Sequence, residues 1–569
     1  MASGNATFEW MPSKQKLRHA PEAIAAPVTG GGSLSVFLER RGPALVLGLV
    51  LVASLRIAAT YTVFSHTFDE PVHIAPGMEW LDKGTYTSGS EHPPLARVAA
   101  AIGPYLLGVR SQGKAEPGEE ALAILQKDHH YDLTLAAARA GILPFFWVGC
   151  AVVYWGSRRC HGATVATIAV FLFTFLPPVL GHAGLATTDM ALAAWLSAAF
   201  FGGLLWAERP ILANAAWFGA GTGLAVVSKY STLLFLPVCL AVALAWHCAI
   251  ERPAPRRLAA AAKERVPTFT LAVGVALVVV WAAFRFSFGK VDFVSFRLPA
   301  PELFRGIETL LQHNAGGHGS YLLGQRSATG FWYFYPVALA VKTPLAFLGL
   351  LGFGIVLAVR DQGRFRRAWP ALAFAAGILL VGLFSRINIG VRHILPVYAG
   401  FSILAALGVA RMLDLMATRP WIKPVLAALL VWFAASSLIS HPDYLPYFNM
   451  LAANEPEKIL VDSDLDWGQD MKRLGKRLQE SGARQVVFNP FPYPQSLLTD
   501  FGFPEALLGY ADAPSPGWNA VGLTDLKSNR LGLGDSHPEL PLWPNQIKPT
   551  ARIGKSILLW YFPTGRGLR

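Results

Sequence analysis

The stretch PALVLGLVLVASLRIAATYTVF at residues 43–64, followed at once by SHTFDEPVH at 65–73, decides how this chain is read. A helix rises ~1.5 Å per residue, so about 20 apolar residues cross a hydrocarbon core ~30 Å thick. The first stretch meets that requirement, and Asp69 and Glu70 then lie just beyond the membrane. Composition points the same way. With 53% hydrophobic and 15% charged residues, the chain carries more apolar surface than one soluble core can bury.

Runs of similar length predict a polytopic α-helical membrane protein with about 11 transmembrane helices. They fall near 43–64, 136–157, 162–182, 188–206, 211–228, 232–250, 266–286, 334–358, 369–385, 393–411 and 424–440. Arg158-Arg159, the segment from Arg252 to Arg265, the run Arg360 to Arg367 and the stretch Arg411 to Lys423 form basic connections, expected on the cytoplasmic side. Residues 65–135 instead hold ten acids against five Lys and Arg. They form the first outer loop, and 287–333 the second. The net charge of +13 therefore reads as an orientation signal, and no nucleic-acid partner is expected.

Residues 1–42 read as a cytoplasmic tail, 43–440 as the transmembrane domain and 441–569 as a small extracytoplasmic α/β C-terminal domain. In the last, residues 460–490 suggest strand, loop, amphipathic helix and strand. Pro177-Pro178 interrupts the third span, which predicts broken backbone lining a cavity. The segment QHNAGGHGSYLLGQRS in the second outer loop is Gly-rich and reads as mobile, with His313 and His318 as surface residues. Cys150, Cys160, Cys239 and Cys248 lie in or beside apolar runs and read as small hydrophobes.

A carboxylate at the edge of a bilayer is the kind of group whose proton affinity desolvation can lift towards that of a general base. Asp69 suits that role, although Asp69 and Glu70 also suit a helix cap. Asp189, in LATTDMALAAW, stands at the outer mouth of the fourth span. On the same side lie Lys229, Lys342, Arg386, Arg392 and His393. Cations at apolar helix ends snorkel, pair with acids or bind an anion. Gathered opposite an acidic loop, these five suggest a phosphate headgroup site. His73, Glu91 and His92 complete the polar set of the first loop.

FDEPVH, HPPLA, TTDMAL, GLAVVSKYSTLL, YFYPVALAVKTPLA and NIGVRHILPVYA together resemble segments of the membrane glycosyltransferases that use polyprenyl-phosphate sugars. That superfamily contains the protein O-mannosyltransferases and the lipid A aminoarabinose transferases. The resemblance covers roughly residues 43–440 and implies a GT-C fold and a hexosyl- or pentosyltransferase in a bacterial inner or plasma membrane, acting at the extracytoplasmic face. By position it implies Asp69 as base, Glu70 and Asp189 as acidic partners, and Lys229, Lys342, Arg386 and Arg392 as lipid-phosphate contacts. His73, Glu91, His92 and His393 are further substrate-binding candidates.

The substrate would be a polyprenyl-phosphate sugar and the acceptor a protein, lipid or glycan hydroxyl, with inversion expected and no cofactor. A metal is not favoured. Asp462, Asp464 and Asp466 resemble the start of a calcium loop, but residue 473 is Arg and Gly468 is one place late. His73, Glu91 and His92 with Asp69 match no familiar zinc spacing. A lipid or solute transporter or flippase is the alternative from another class, disfavoured because no inverted repeat is evident and the polar residues gather at one face. A nonenzymatic membrane assembly protein is a further one.

Overall fold

The computed structural model describes residues 33–489, 493–509, 513–533 and 541–563. The first helix, Ser33–Ala58, begins ahead of the expected span, and residues 1–32 of the expected tail lie outside the described ones. Among the described residues, eight helices are long and apolar enough to cross a membrane, and two bent pairs raise the number to ten. The bent pairs are Ala163–Thr174 with Pro177–Ala183, at 66°, and Phe334–Lys342 with Leu345–Arg360, at 117°. Proline explains both, because it lacks an N–H and pushes the preceding residue out of helical backbone. Leu176 and Thr343, just before Pro177 and Pro344, are both extended.

The remaining expected span, 211–228, is the helix Leu212–Val226. Its 15 residues rise only ~22 Å, short of a full hydrocarbon core. It still connects the two ends of the bundle. Glu208, just before it, pairs with Arg159 at the basic end, and the carbonyl of Val227, just after it, accepts from Leu95 of the first loop.

The first loop is helical, with Asp69–Asp82, Pro94–Leu106 and Pro117–Leu125 stacked on the bundle end. Gly77 permits the close approach of the first two, since a Cβ there would lie 2.0 Å from the carbonyl oxygen of Arg97. The segment 287–333, with its QHNAGGHGSYLLGQRS stretch expected to be mobile, is built from a hairpin (Phe288–Val291 with Val294–Pro299), a helix (Pro301–Gly316) and a second hairpin (Ser320–Leu322 with Gln325–Ser327).

The C-terminal domain is α/β, with one correction to the expected order. The strand expected at the start of 460–490 is a loop with a short 3₁₀ turn, Asp462–Asp464. Its backbone groups are spent on tertiary partners, as Asp462 N–H donates to Thr524 Oγ1 and the Asp464 carbonyl accepts from Lys342. The amphipathic helix follows at Met471–Glu480, burying Met471, Leu474 and Leu478. Gln485–Val487 sits between Glu505–Leu507 and Gly517–Gly522, parallel to both, and Ile557–Phe562 and Ala551–Ile553 extend the sheet antiparallel.

This domain docks on the first loop. Ser65 N–H donates to the Gln469 carbonyl at 3.1 Å and Phe68 N–H to the Trp467 carbonyl at 2.9 Å. One apolar core runs from the helices through to Leu474, Val486 and Leu559. The first loop, the turn at 227–231, the turn at 385–396 and the C-terminal domain thus meet at one end of the bundle.

Candidate functional site

Asp69 opens the helix Asp69–Asp82, where the unpaired N–H groups and the dipole favour an acid. Asp189 holds the same position in Asp189–Glu208. Between them reaches Arg392, from a 3₁₀ turn at Val391–Ile394. Its Nη1 lies 2.6 Å from Asp69 Oδ2 and 4.0 Å from Asp189 Oδ2. Lys229 Nζ lies 2.6 Å from Asp189 Oδ1. Two acids and two cations therefore alternate, and each charge has an opposite neighbour, which is what makes burial tolerable. A phosphate could take the place of the Asp69 carboxylate on Arg392.

Glu70 is placed differently from its neighbour. It is fully buried, and Arg139 grips it through Nε and Nη2, both at 2.8 Å. The N–H groups of Ala186 and Thr67 complete its partners. Burial alone would raise its proton affinity, but the Arg139 guanidinium and these donors outweigh it and hold the carboxyl below the usual range. Arg139 also donates to the carbonyls of Tyr61 and Ser65. The pair joins the second span to the first loop, an anchoring arrangement.

Arg97 organises the other loop candidates. Its guanidinium bonds Glu91 at 2.7 Å, His73 Nδ1 at 3.2 Å and the carbonyl of Gly89. His73 and His92 meet edge to face at 4.9 Å. Burial, helped by the positive charge of Arg97, holds both imidazoles well below their ordinary pKa.

Of the remaining expected cations, Lys342 stands apart. It ends the helix Phe334–Lys342, is 1% exposed, and donates to the carbonyls of Leu445 and Asp464, fastening the C-terminal segment. Arg386 is exposed on the 385–396 turn. His393 packs its ring against Phe235 and Tyr335, with centroids 5.6 and 5.8 Å away. Lys229 and Arg392 are thus the two of the five brought together with Asp69 and Asp189.

The C-terminal domain contributes residues that sequence reasoning did not place here. Ser463 Oγ accepts from Arg392 Nε at 3.1 Å, and the Arg392 guanidinium lies 4.2 Å from the centre of the Trp467 ring. Asp464 Oδ1 accepts from Val391 N–H at 3.1 Å. Asp462 faces Arg392, His318 and Asp69, and burial raises its proton affinity. Arg139 and Arg97 were also missed. Their signal was an arginine within or beside an apolar run at the acidic end, which is costly unless paired.

The three aspartates resembling a calcium loop diverge, with Asp464 turned to Val391 and Lys342 and Asp466 to Thr524. Among the described residues, no group of three or more His, Cys, Asp or Glu side chains converges on a metal position.

No family model and no curated protein matches this chain. Solved structures do. ArnT from Cupriavidus metallidurans bound to undecaprenyl phosphate aligns with a TM-score of 0.50 at 16% identity, over 90% of this chain and 97% of that one. ArnT from the same organism in the apo state aligns at 0.48 and 15%, over 91% and 98%. The archaeal oligosaccharyltransferase AglB from Archaeoglobus fulgidus, with an inhibitory peptide and a dolichol-phosphate, aligns at 0.45 and 14%, over 86% and 71%. At 16% identity the likeness to ArnT shows shared architecture alone, in keeping with the expected GT-C fold.

Proposed function

We propose that this protein transfers a sugar from a polyprenyl-phosphate carrier to an acceptor hydroxyl at the extracytoplasmic face of a cell membrane. The observation that carries the reading is the alternating cluster Asp69, Arg392, Asp189 and Lys229 at the end of the bundle away from the basic connections. The positive-inside rule makes the basic end cytoplasmic and the cluster extracytoplasmic. ArnT, whose fold this chain shares, is bound to undecaprenyl phosphate in one of its structures.

In this mechanism the carrier enters from the outer leaflet and its phosphate binds Arg392 and Lys229. Asp69, released from Arg392, accepts the proton of the acceptor hydroxyl as that oxygen attacks the anomeric carbon. The bond from the anomeric carbon to the phosphate oxygen breaks, polyprenyl phosphate leaves with the electron pair, and the configuration inverts. Arg392 and Lys229 stabilise the charge that develops on the leaving phosphate. Asp189 holds Lys229 in place, and Glu70 with Arg139 holds the first loop.

Membranes containing the protein, given a radiolabelled lipid-linked sugar, are expected to release polyprenyl phosphate and label an acceptor. A folded Asp69→Asn protein that transfers at the normal rate would remove Asp69 from the mechanism. Movement of intact lipid-linked sugar without cleavage would instead identify a flippase.

A further inference from the structure

We infer that Ser463 and Trp467 of the C-terminal domain are positioning residues for Arg392, so that the donor-phosphate site is completed by a domain outside the membrane bundle. The inference rests on the proposed reading of Arg392 as a phosphate contact. It goes beyond that reading by making a second domain part of donor binding.

Arg392 lies on a short turn between two spans, and a long arginine side chain loses rotamer freedom when fixed. Something must hold it. On the bundle side it has the Ile389 carbonyl at 3.1 Å from Nε. Beyond the carboxylates of Asp69 and Asp189 at its Nη1, the supports of its guanidinium root come from 462–467. Ser463 Oγ takes the same Nε–H at 3.1 Å while its own hydroxyl donates to the Ile389 carbonyl, closing a small ring around the guanidinium root. Trp467 lies against the guanidinium at 4.2 Å, the geometry of a cation–π contact, which leaves the Nη edge to face an anion.

The backbone on both sides is adapted to this contact. Gly390 has φ of +91°, and a Cβ there would come within 2.6 Å of Ser463 Oγ. Val391 N–H is tied to Asp464 Oδ1, and Asp464 in turn lies over Lys342. Asp462 takes left-handed backbone, φ 54°, as the chain turns into this segment. Trp467 is itself fixed, because its carbonyl accepts from Phe68 N–H, one residue before Asp69. The segment thus sets the position of Arg392 relative to Asp69 from both sides.

The test uses the full-length protein in nanodiscs, with polyprenyl phosphate as the binding probe. Arg392→Ala, Ser463→Ala and Trp467→Leu are each expected to weaken binding about tenfold, the scale of a lost hydrogen bond or cation contact to a charged group. Ser463→Thr and Trp467→Phe should restore it. In an Arg392→Ala background, Ser463→Ala and Trp467→Leu should cause no further loss, because their effect passes through Arg392. Asp525→Asn, elsewhere in the C-terminal domain, should bind as the parent does.

Normal affinity in Arg392→Ala overturns the phosphate reading and this inference with it. Weak binding in Arg392→Ala with normal binding in both Ser463→Ala and Trp467→Leu overturns the positioning role alone. Additive losses in the double variants, or an equal loss in Asp525→Asn, do the same by pointing to general damage to the domain.

Discussion

Arg392 Nη1 and Asp69 Oδ2 stand 2.6 Å apart, so the group proposed to bind the donor phosphate is bonded to the group proposed to take the acceptor's proton. The same guanidinium cannot serve both fully. An incoming phosphate competes with Asp69 for Arg392, and the competition links donor binding to release of the base.

Asp69→Asn removes the competitor's charge. It is expected to bind polyprenyl phosphate 3- to 10-fold more tightly, on the scale of a partly exposed ion pair, while transfer falls by ~10²–10⁴-fold. Titration with polyprenyl phosphate and a single-turnover transfer assay check the two halves. Weaker binding by the variant would contradict the competition.

Glu70 and Arg139 are a buried pair at 0% and 1% side-chain exposure. Breaking such a pair leaves an uncompensated buried charge and costs about 3–5 kcal/mol. Arg139→Ala should therefore lose folded protein, measured as a lower Tm in detergent and lower yield. Glu70→Gln should lose stability in proportion to its activity. An active-site acid would instead lose activity at unchanged Tm.

Gly390→Ala places a Cβ against Ser463 and Asp464 at φ 91° and ψ 175°, a region essentially confined to glycine that costs an L-residue roughly 1–3 kcal/mol before any contact is counted. The turn carrying Arg392 should shift, and polyprenyl phosphate binding should weaken several-fold with little change in overall Tm. Binding titrations beside thermal unfolding check this outcome.

Asp466 supplies a pH dependence. It is buried among the N–H groups of Thr524 and Gly468, and burial pushes its carboxyl up from 3.8 to about 7. A carboxyl that binds its proton more tightly folded than unfolded favours the fold at low pH. That contribution is full below pH 3.8 and fades as pH rises through about 7. Asp466→Asn should flatten this part of the profile and raise the stability of the C-terminal domain at pH 8 relative to the parent. Thermal unfolding at pH 5, 6, 7 and 8 tests it.

The spans were legible because ~20 apolar residues in a row have few other uses, and the acidic end because charge asymmetry survives without coordinates. Lys229 and Arg392 were legible as cations out of place. Lys342 was visible by the same signal and serves another purpose, since cost of burial says that a partner exists without naming it. Arg139 escaped notice because it lies just past the acidic loop in an alanine-rich helix, and Ser463 and Trp467 because their partner lies about seventy residues earlier.

By itself the sequence determined a polytopic helical protein with an acidic face carrying Asp69, Glu70 and Asp189 and several unexpected cations. Hydropathy and charge are local properties of a chain, and a bilayer sorts them directly. The tertiary structure decided which acid meets which cation. It gave Glu70 to Arg139 and Asp69 to Arg392, and it closed the site with a domain from beyond the last span. Such pairings depend on ångström distances between residues hundreds of positions apart, which only packing sets.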